Sequence, residues 1–357
     1  MTTEDRKREL FAQPAAAKEV YVPEGHYVNS VIGILRGPDS LWHLFYEPGY
    51  QDIPGFDRFT IRPGRPQPSF DHATSEDLLT WTHHGSVVEP GGPGDCDAYE
   101  VGDGCIIEHE GRWHLVYQAR PYLGASRRFA MAVSDDLWSW SKYPGDGSPT
   151  FIPDRELSGW REEGLLKCQD PSIIYQDGRY YMYYCCQKLV EPIDDPLKQT
   201  HTGINVATST DLVHWEDHGA VIEDRWITNP LFGPWGFETP RAVQHDGKVY
   251  MFAMYFYGLQ YTVGDDPFHF GPWHIVGPWH APVIFNDDED RWYITHSYRH
   301  FGALLTRGSK AGPLRGLYIA GLEWSEGVPV PVDLRAVMED WPWQREGGVS
   351  KLVQQWE

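Results

Sequence analysis

No apolar run in this 357-residue sequence approaches the roughly 18 residues that a membrane-spanning helix needs, which excludes an integral helical membrane protein. Cationic side chains are scarce. Thirty Lys and Arg stand against 51 Asp and Glu, a formal net charge of −21, and that field repels phosphate backbones and anionic bilayers. Neither nucleic acid nor a membrane surface is therefore an expected partner. Cysteine is also sparse: there are five, Cys185 and Cys186 are adjacent, and no CxxC pair occurs. Such usage suits thiols in a reducing compartment rather than a disulfide framework or a thiolate zinc site. The first twenty residues carry charges and no apolar stretch of secretory-signal length, so a cytoplasmic location is expected. A GxGxxG after a strand, a P-loop, HExxH and GxSxG are all missing, which leaves nucleotide-binding, zincin and α/β-hydrolase chemistry without support.

Aromatic residues, by contrast, make up 14% of the chain, with 16 Trp and 20 Tyr. They suit a packed β-protein and offer flat faces for stacking on sugar rings. The chain also repeats itself. CIIEHEGRWHLVYQ (105–118), SIIYQDGRYYMYYC (172–185) and RAVQHDGKVYMFAM (241–254) align without gaps on glycines 111, 178 and 247, spaced by 67 and 69 residues. Each reads as a β-hairpin, with an acidic residue and Gly in the turn and alternating apolar residues after it. Looser copies flank them at 31–47 and 282–297.

A second element follows the hairpin in ATSEDLLTW (73–81), AVSDDLWSW (132–140) and ATSTDLVHW (207–215). It supplies a third strand, an acidic turn and a Trp leading into a fourth strand. GDDPFHFGPW (264–273) and LYIAGLEWSEG (317–327) hold the corresponding places in degenerate form. Five such units predict an all-β, five-bladed β-propeller with four-stranded antiparallel blades. A β-sandwich would not repeat at this period, and WD40 blades recur at about 40–45 residues. The expected layout is an N-terminal extension over 1–25, the propeller over 26–335, and a tail over 336–357 that closes or packs on it. Trp42, Trp113, Trp292 and Tyr180 recur at matching places and are assigned to packing between blades.

In a propeller, only the start of each inner strand reaches the open end of the central funnel. Anchoring on the turn glycines, those positions are Asn29-Ser30, Gly102-Asp103, Gln169-Asp170, Glu238-Thr239 and His280-Ala281. Carboxylates converging from different blades are what general acid/base chemistry needs, because repulsion and burial separate their pKa values. A structural reading stands beside each. Asp170 precedes Pro171 and could start a turn, and Asp103 sits between two glycines. Glu238 has no evident turn or capping use. His280 could be a core histidine, a metal ligand or a hydrogen-bond donor to substrate. His83, His84, His296 and His300 show no ligand spacing.

These segments resemble a known group. FDHATSEDLLTWTHHGSVVEP (70–90), CQDPSIIYQDGRYYM (168–182) and FETPRAV (237–243) are similar to segments of invertase-like enzymes of glycoside hydrolase family 32. GPWHAP (277–282) resembles the fifth-blade motif of the arabinanase-like family 43, which shares the five-bladed fold. The resemblance implies a glycoside hydrolase of the EC 3.2.1 type, acting on a small oligosaccharide or glycoside, with a fructofuranoside or arabinofuranoside ring. It implies Glu238 as general acid and Asp170 as the transition-state stabiliser. Asn29, Ser30, Asp97, Glu100, Gln169, Arg241 and His280 are expected to contact the sugar. No cofactor is required by the reading, although His280 matches a histidine that often sits by an axial divalent cation such as calcium. The sequence departs from the pattern at Ser30, in YVNSVIGIL (27–35), where both families keep a catalytic Asp. A lone hydroxyl cannot replace a carboxylate in an oxocarbenium-like displacement. Asp103 is the expected substitute as base; otherwise the protein is a fructotransferase, a lyase or a sugar-binding propeller. The oligomeric state is not legible.

Overall fold

The computed structural model describes residues 16–49, 69–122, 125–154, 168–189, 200–224, 228–229, 233–234, 237–254, 258–277, 279–297 and 316–334. They form the expected five antiparallel sheets, the blades of a β-propeller. Blade one is built from Tyr27–Arg36, Trp42–Gly49, Phe70–Ser75 and Thr82–Val88, and blade two from Glu100–His109, Arg112–Arg120, Arg128–Ser134 and Ser141–Tyr143. Blade three comprises Cys168–Gln176, Arg179–Leu189, Thr200–Ser209 and Glu216–Asp224, and blade four Glu238–His245, Lys248–Met254, Leu259–Gly264 and His274–Gly277. Among the described residues, no helix is long and apolar enough to cross a membrane.

Blade five differs at its rim. Its inner strands are Ile284–Asn286, Trp292–His296 and Leu317–Ser325, and two segments share the outer edge of the last. Val328–Val332 pairs with one half of Leu317–Ser325, and Lys18–Tyr21 pairs with the other. The ring is thus closed by a strand from near the N-terminus, within the segment that the sequence reads as an extension. Closure joins residues about 300 positions apart, which the repeat pattern could not reveal because the strand is four residues long. The segment 336–357 lies outside the described residues.

The local signals that carry the repeat have clear physical causes. Glu110-Gly111, Asp177-Gly178 and Asp246-Gly247 all have positive φ at both residues, the requirement of a type I′ hairpin turn. In the second element, the carboxylate of Asp77 accepts the N–H groups of Leu79 and Thr80, both at 2.8 Å. Asp136 does the same for Trp138 and Ser139, and Asp211 for Val213 and His214. In each, the following Trp closes the turn by donating its indole N–H to the carbonyl of the buried Leu78, Leu137 or Leu212. Asp266 holds the N–H groups of Phe268 and His269 in the degenerate fourth unit, so the turn survives the loss of its Ser and Leu.

Aromatic and aliphatic side chains fill the wedges between blades. Trp42 of blade one packs edge-on against Phe285 of blade five, and Phe129 of blade two against Tyr184 of blade three. All five cysteines are buried and unbridged. The axle holds a charge instead of an apolar plug. Arg241, buried at the start of blade four, donates Nε to the Pro282 carbonyl of blade five at 3.1 Å. Its Nη1 donates to Pro171 of blade three at 3.2 Å and to Pro240 at 3.4 Å, and its Nη2 reaches Val31 of blade one at 3.5 Å.

Removing this guanidinium strands carbonyl groups of three other strands in a water-poor interior, where each unpaired group costs about 1–3 kcal/mol. Arg241→Met is expected to lower unfolding free energy by about 3–5 kcal/mol, read from the urea midpoint. Arg112→Met, which breaks the exposed pair with Asp135, should cost under about 1 kcal/mol. Equal losses in the two variants would contradict the axle role.

Candidate active site

The inner strands of blades two to five share one backbone irregularity near their starts. Asp103, Asp170, Thr239 and Ala281 all have positive φ, between 23° and 58°. In blades two, three and four the pairing register shifts at this point, a β-bulge. Non-glycine residues rarely adopt such φ, least of all a β-branched Thr, and strain of this kind concentrates where a side chain must be aimed. The bulge makes Asp103, Asp170, Thr239 and Ala281 equivalent, and it puts Glu238 one residue ahead, equivalent to Gln169 and His280.

Blade one shifts register between Val28 and Ser30, so its bulged residue is Asn29. The same strand shifts register again between Val31 and Gly33, and neither Asn29 nor Ser30 has positive φ, so the start of blade one departs from the irregularity that blades two to five share. The blade also supplies a carboxylate that sequence reasoning missed. Glu47, buried on the second strand opposite Ser30, accepts the Asn29 Nδ2–H at 3.0 Å through Oε2. Its Oε1 accepts the backbone N–H of Asp103 in blade two. Glu47 thus ties the two bulges together. Nothing in the linear pattern marks it, because the matching positions of the other repeats carry Gln118, Cys185 and Met254.

Of Asp103, Asp170 and Glu238, Asp170 is the most deeply buried. Its Oδ2 accepts the Thr239 N–H at 2.8 Å and the Gln169 Nε2–H at 3.2 Å. Full burial pushes its pKa well above the ordinary carboxylate range, and the charges of Asp103 and Glu238 push it further. The Thr239 hydrogen bond and the Arg241 charge oppose the rise without cancelling it. The structure therefore brings Asp103, Asp170 and Glu238 into one electrostatic group, in which the neutral form of Asp170 is favoured. Because Oδ2 already accepts two donors, a proton on Asp170 would sit on Oδ1. Glu238 is half-buried, the most open of the three.

Other expected sugar contacts are engaged inside the fold. Both oxygens of buried Asp97 are held: Oδ1 accepts the Gly91 N–H, and Oδ2 accepts Tyr117 O–H at 2.8 Å and lies 2.6 Å from Lys142 Nζ. Glu100, fully buried, lies between Arg120 Nε at 2.9 Å and Arg127 Nε at 2.8 Å. Ion pairs of this kind hold their carboxylates in place, because a buried charge left without its partner is costly. Arg241 spends its donors on the axle. Gln169 is a link in a chain, because Arg127 Nη1 donates to its Oε1 at 2.6 Å while its Nε2 donates to Asp170. Glu100 thereby reaches Asp170 through Arg127 and Gln169.

His280 is half-buried, with Nδ1 at 3.2 Å from Ser297 Oγ and its backbone N–H donated to His296 Nδ1 at 2.8 Å. Burial holds His296 down at about 3, so it is neutral and accepts at Nδ1. Among the described residues His280 belongs to no group of three ligating atoms. Two hydroxyls on the inner-strand starts, Ser30 Oγ and Thr239 Oγ1, are buried with no hydrogen-bond partner among the described residues.

No protein-family model matches the sequence. Solved structures do match the fold. A family 32 β-fructofuranosidase of Bombyx mori superposes with a TM-score of 0.64 at 16% identity, over 95% of this chain and 71% of that one; a mutant of it has been solved in complex with sucrose. Fructan 1-exohydrolase IIa from Cichorium intybus gives 0.64 at 17%, over 91% and 62%, and a variant is known in complex with 1-kestose. An α-L-arabinofuranosidase of family 43 from Clostridium thermocellum gives 0.55 at 17%, over 93% and 98%. The structural neighbours of this five-bladed propeller are thus glycoside hydrolases.

The raised pKa of Asp170 has a consequence for stability. A carboxyl whose folded pKa lies above its unfolded value stabilises the protein while both states are protonated; that contribution is lost as pH rises from the unfolded pKa, about 3.9, through the folded one. Asp170→Asn keeps the acceptor for Thr239 and cannot ionise. It should match the wild type near pH 3.5 and exceed it progressively above, by up to about 1.4 kcal/mol per pH unit within the window. Denaturant titrations from pH 3.5 to 9 read this directly, and parallel curves would show that Asp170 is an ordinary ionised carboxylate.

Proposed function

We propose that the protein is a glycoside hydrolase acting on a small furanoside, with Glu238, Asp103 and Asp170 as its working carboxyl groups. The observation that carries this reading is buried Asp170, whose pKa is pushed up by its burial and by the charges of Asp103 and Glu238. Three carboxyl groups that share protons in a water-poor cleft divide naturally into donor and acceptor roles. The unpartnered hydroxyls of Ser30 and Thr239 suit a polyhydroxylated ligand, since a buried polar group without a protein partner is costly unless a ligand completes it. The furanose preference rests on what the neighbouring enzymes act on.

Substrate binding takes half-buried Glu238 out of water and favours its neutral form, so the proton passes from Asp170 Oδ1 toward Glu238. Glu238 then protonates the leaving glycosidic oxygen as the bond to the anomeric carbon breaks. Asp170, now anionic, faces the developing positive charge, which stabilises its ionised form. Asp103 removes a proton from the attacking water as the new carbon–oxygen bond forms. Asn29 and Glu47 hold the Asp103 bulge in place. Because the water must fit between Asp103 and the anomeric carbon, the displacement inverts the configuration. The proposed ligand is a small carbohydrate, and a cytoplasmic location accords with the five unbridged thiols.

Glu238→Gln should lower turnover of alkyl and disaccharide furanosides by about 10²–10⁴-fold while sparing aryl furanosides whose leaving group needs no proton. Asp103→Asn should abolish both. NMR of the first-formed anomer should show inversion. Equal loss on both substrate types in Glu238→Gln would contradict the acid role, and a wild type that binds furanosides without releasing reducing sugar would make the protein a binding propeller.

A further inference from the structure

Blade one carries a second polar cluster, remote in role from the carboxyl group of the funnel. His26 precedes the inner strand, Asp71 lies on the third strand and His83 on the fourth. Asp71 Oδ2 is 3.0 Å from His83 Nε2 and 3.5 Å from His26 Nε2, and the three atoms all lie within 4.8 Å of one another. Zinc bound at about 2.0–2.1 Å to nitrogen and oxygen sets tetrahedral edges of about 3.3 Å, so these separations, which also suit the His83–Asp71 hydrogen bond, are compatible with three ligands of one ion. Among the described residues this is the one group of three that could hold a metal ion.

The surroundings orient the ligand atoms. His26 Nδ1 lies 3.1 Å from the Glu24 carbonyl oxygen, which can only accept. Nδ1 therefore carries the hydrogen, and Nε2 presents its lone pair toward Asp71. Asp71 Oδ1 accepts the hydroxyls of Ser86 at 2.8 Å and Ser69 at 3.2 Å, which turns Oδ2 toward the two imidazoles. A ligating histidine whose other nitrogen donates to a carbonyl, and a carboxylate steadied by hydroxyls, are the usual outer partners of a metal site. Tyr46 O–H stands 2.8 Å from His26 Nε2, where it can turn to a water in the fourth position. His26 and Asp71 are buried, while His83 is 37% exposed and gives an ion its way in.

We propose that His26, Asp71 and His83 bind a divalent transition cation of the zinc class, with water as fourth ligand. Two imidazoles and one carboxylate favour such an ion over calcium or magnesium, which prefer all-oxygen shells. The site also has a mechanical meaning. His26 lies on the short link between Lys18–Tyr21, the strand that closes blade five, and the first strand of blade one. A bound ion fastens that link to the two outer strands of blade one, and so acts on ring closure.

The test uses the full chain, stripped with chelator and titrated with zinc chloride by calorimetry and thermal melting. One equivalent should bind and raise Tm by about 5 °C at saturation, with no effect of calcium. Cobalt substitution should give the intense visible bands of a tetrahedral N/O site. His83→Ala, at an exposed position, should keep the metal-free Tm within about 2 °C and lose both the bound equivalent and the metal-dependent shift. His26→Asn provides a second, independent loss. Retention of the zinc equivalent in both variants, or no binding by the wild type at 100-fold excess over protein, would overturn the site.

Discussion

Three carboxyl groups brought to one mouth of a narrow β-ring would repel one another beyond what the fold could bear if all were ionised. Two features answer that constraint. Arg241 lies in the axle beneath them, where its positive charge acts on Asp170 while its donors bind carbonyl groups of four blades' inner strands. Burial of Asp170, with the charges of Asp103 and Glu238 beside it, pushes its pKa up and favours its neutral form. The same guanidinium thus supports both the mechanical ring and the electrostatic balance of the site, and the site chemistry inherits its proton count from that balance.

The supporting shell works through backbone geometry as much as through charge. The left-handed residues at the inner-strand starts are what let one strand present Asp103, another Asp170 and a third Glu238 at neighbouring places. Strained residues hold only where surroundings over-determine them. Here Glu47 grips the Asp103 N–H, Asp170 grips the Thr239 N–H, and the chain from Glu100 through Arg127 to Gln169 steadies Asp170 in turn. Asp97 and Glu100 are each held by cations and hydrogen bonds within blade two.

Much of this architecture is legible in the residues themselves, for reasons that differ by element. Gly111, Gly178 and Gly247 mark I′ turns that few other residues permit, and the Ser-x-Asp-Leu-x-x-Trp pattern encodes a complete hydrogen-bonded turn. Both are local, so both can be read from sequence and used to count blades and register them. Asp103, Asp170 and Glu238 follow from that register. What escapes is whatever a bulge or a long-range contact decides. The blade-one inner strand breaks its register twice, and Glu47 enters from a neighbouring strand. The closing strand Lys18–Tyr21 and the ligand group His26, Asp71 and His83 are assembled by ring closure, across spacings with no motif.

The central claim is that Asp170 carries the proton in the ligand-free site. Carbon-13 NMR of aspartate-labelled protein follows each carboxyl through its titration, and Asp170→Asn identifies the resonance. One aspartate signal should stay protonated well above the ordinary carboxylate range, vanish in the variant, and shift toward the ionised form when a non-hydrolysable furanoside fills the funnel. A spectrum in which every aspartate titrates in the ordinary range, with no resonance altered by the ligand, would contradict the account.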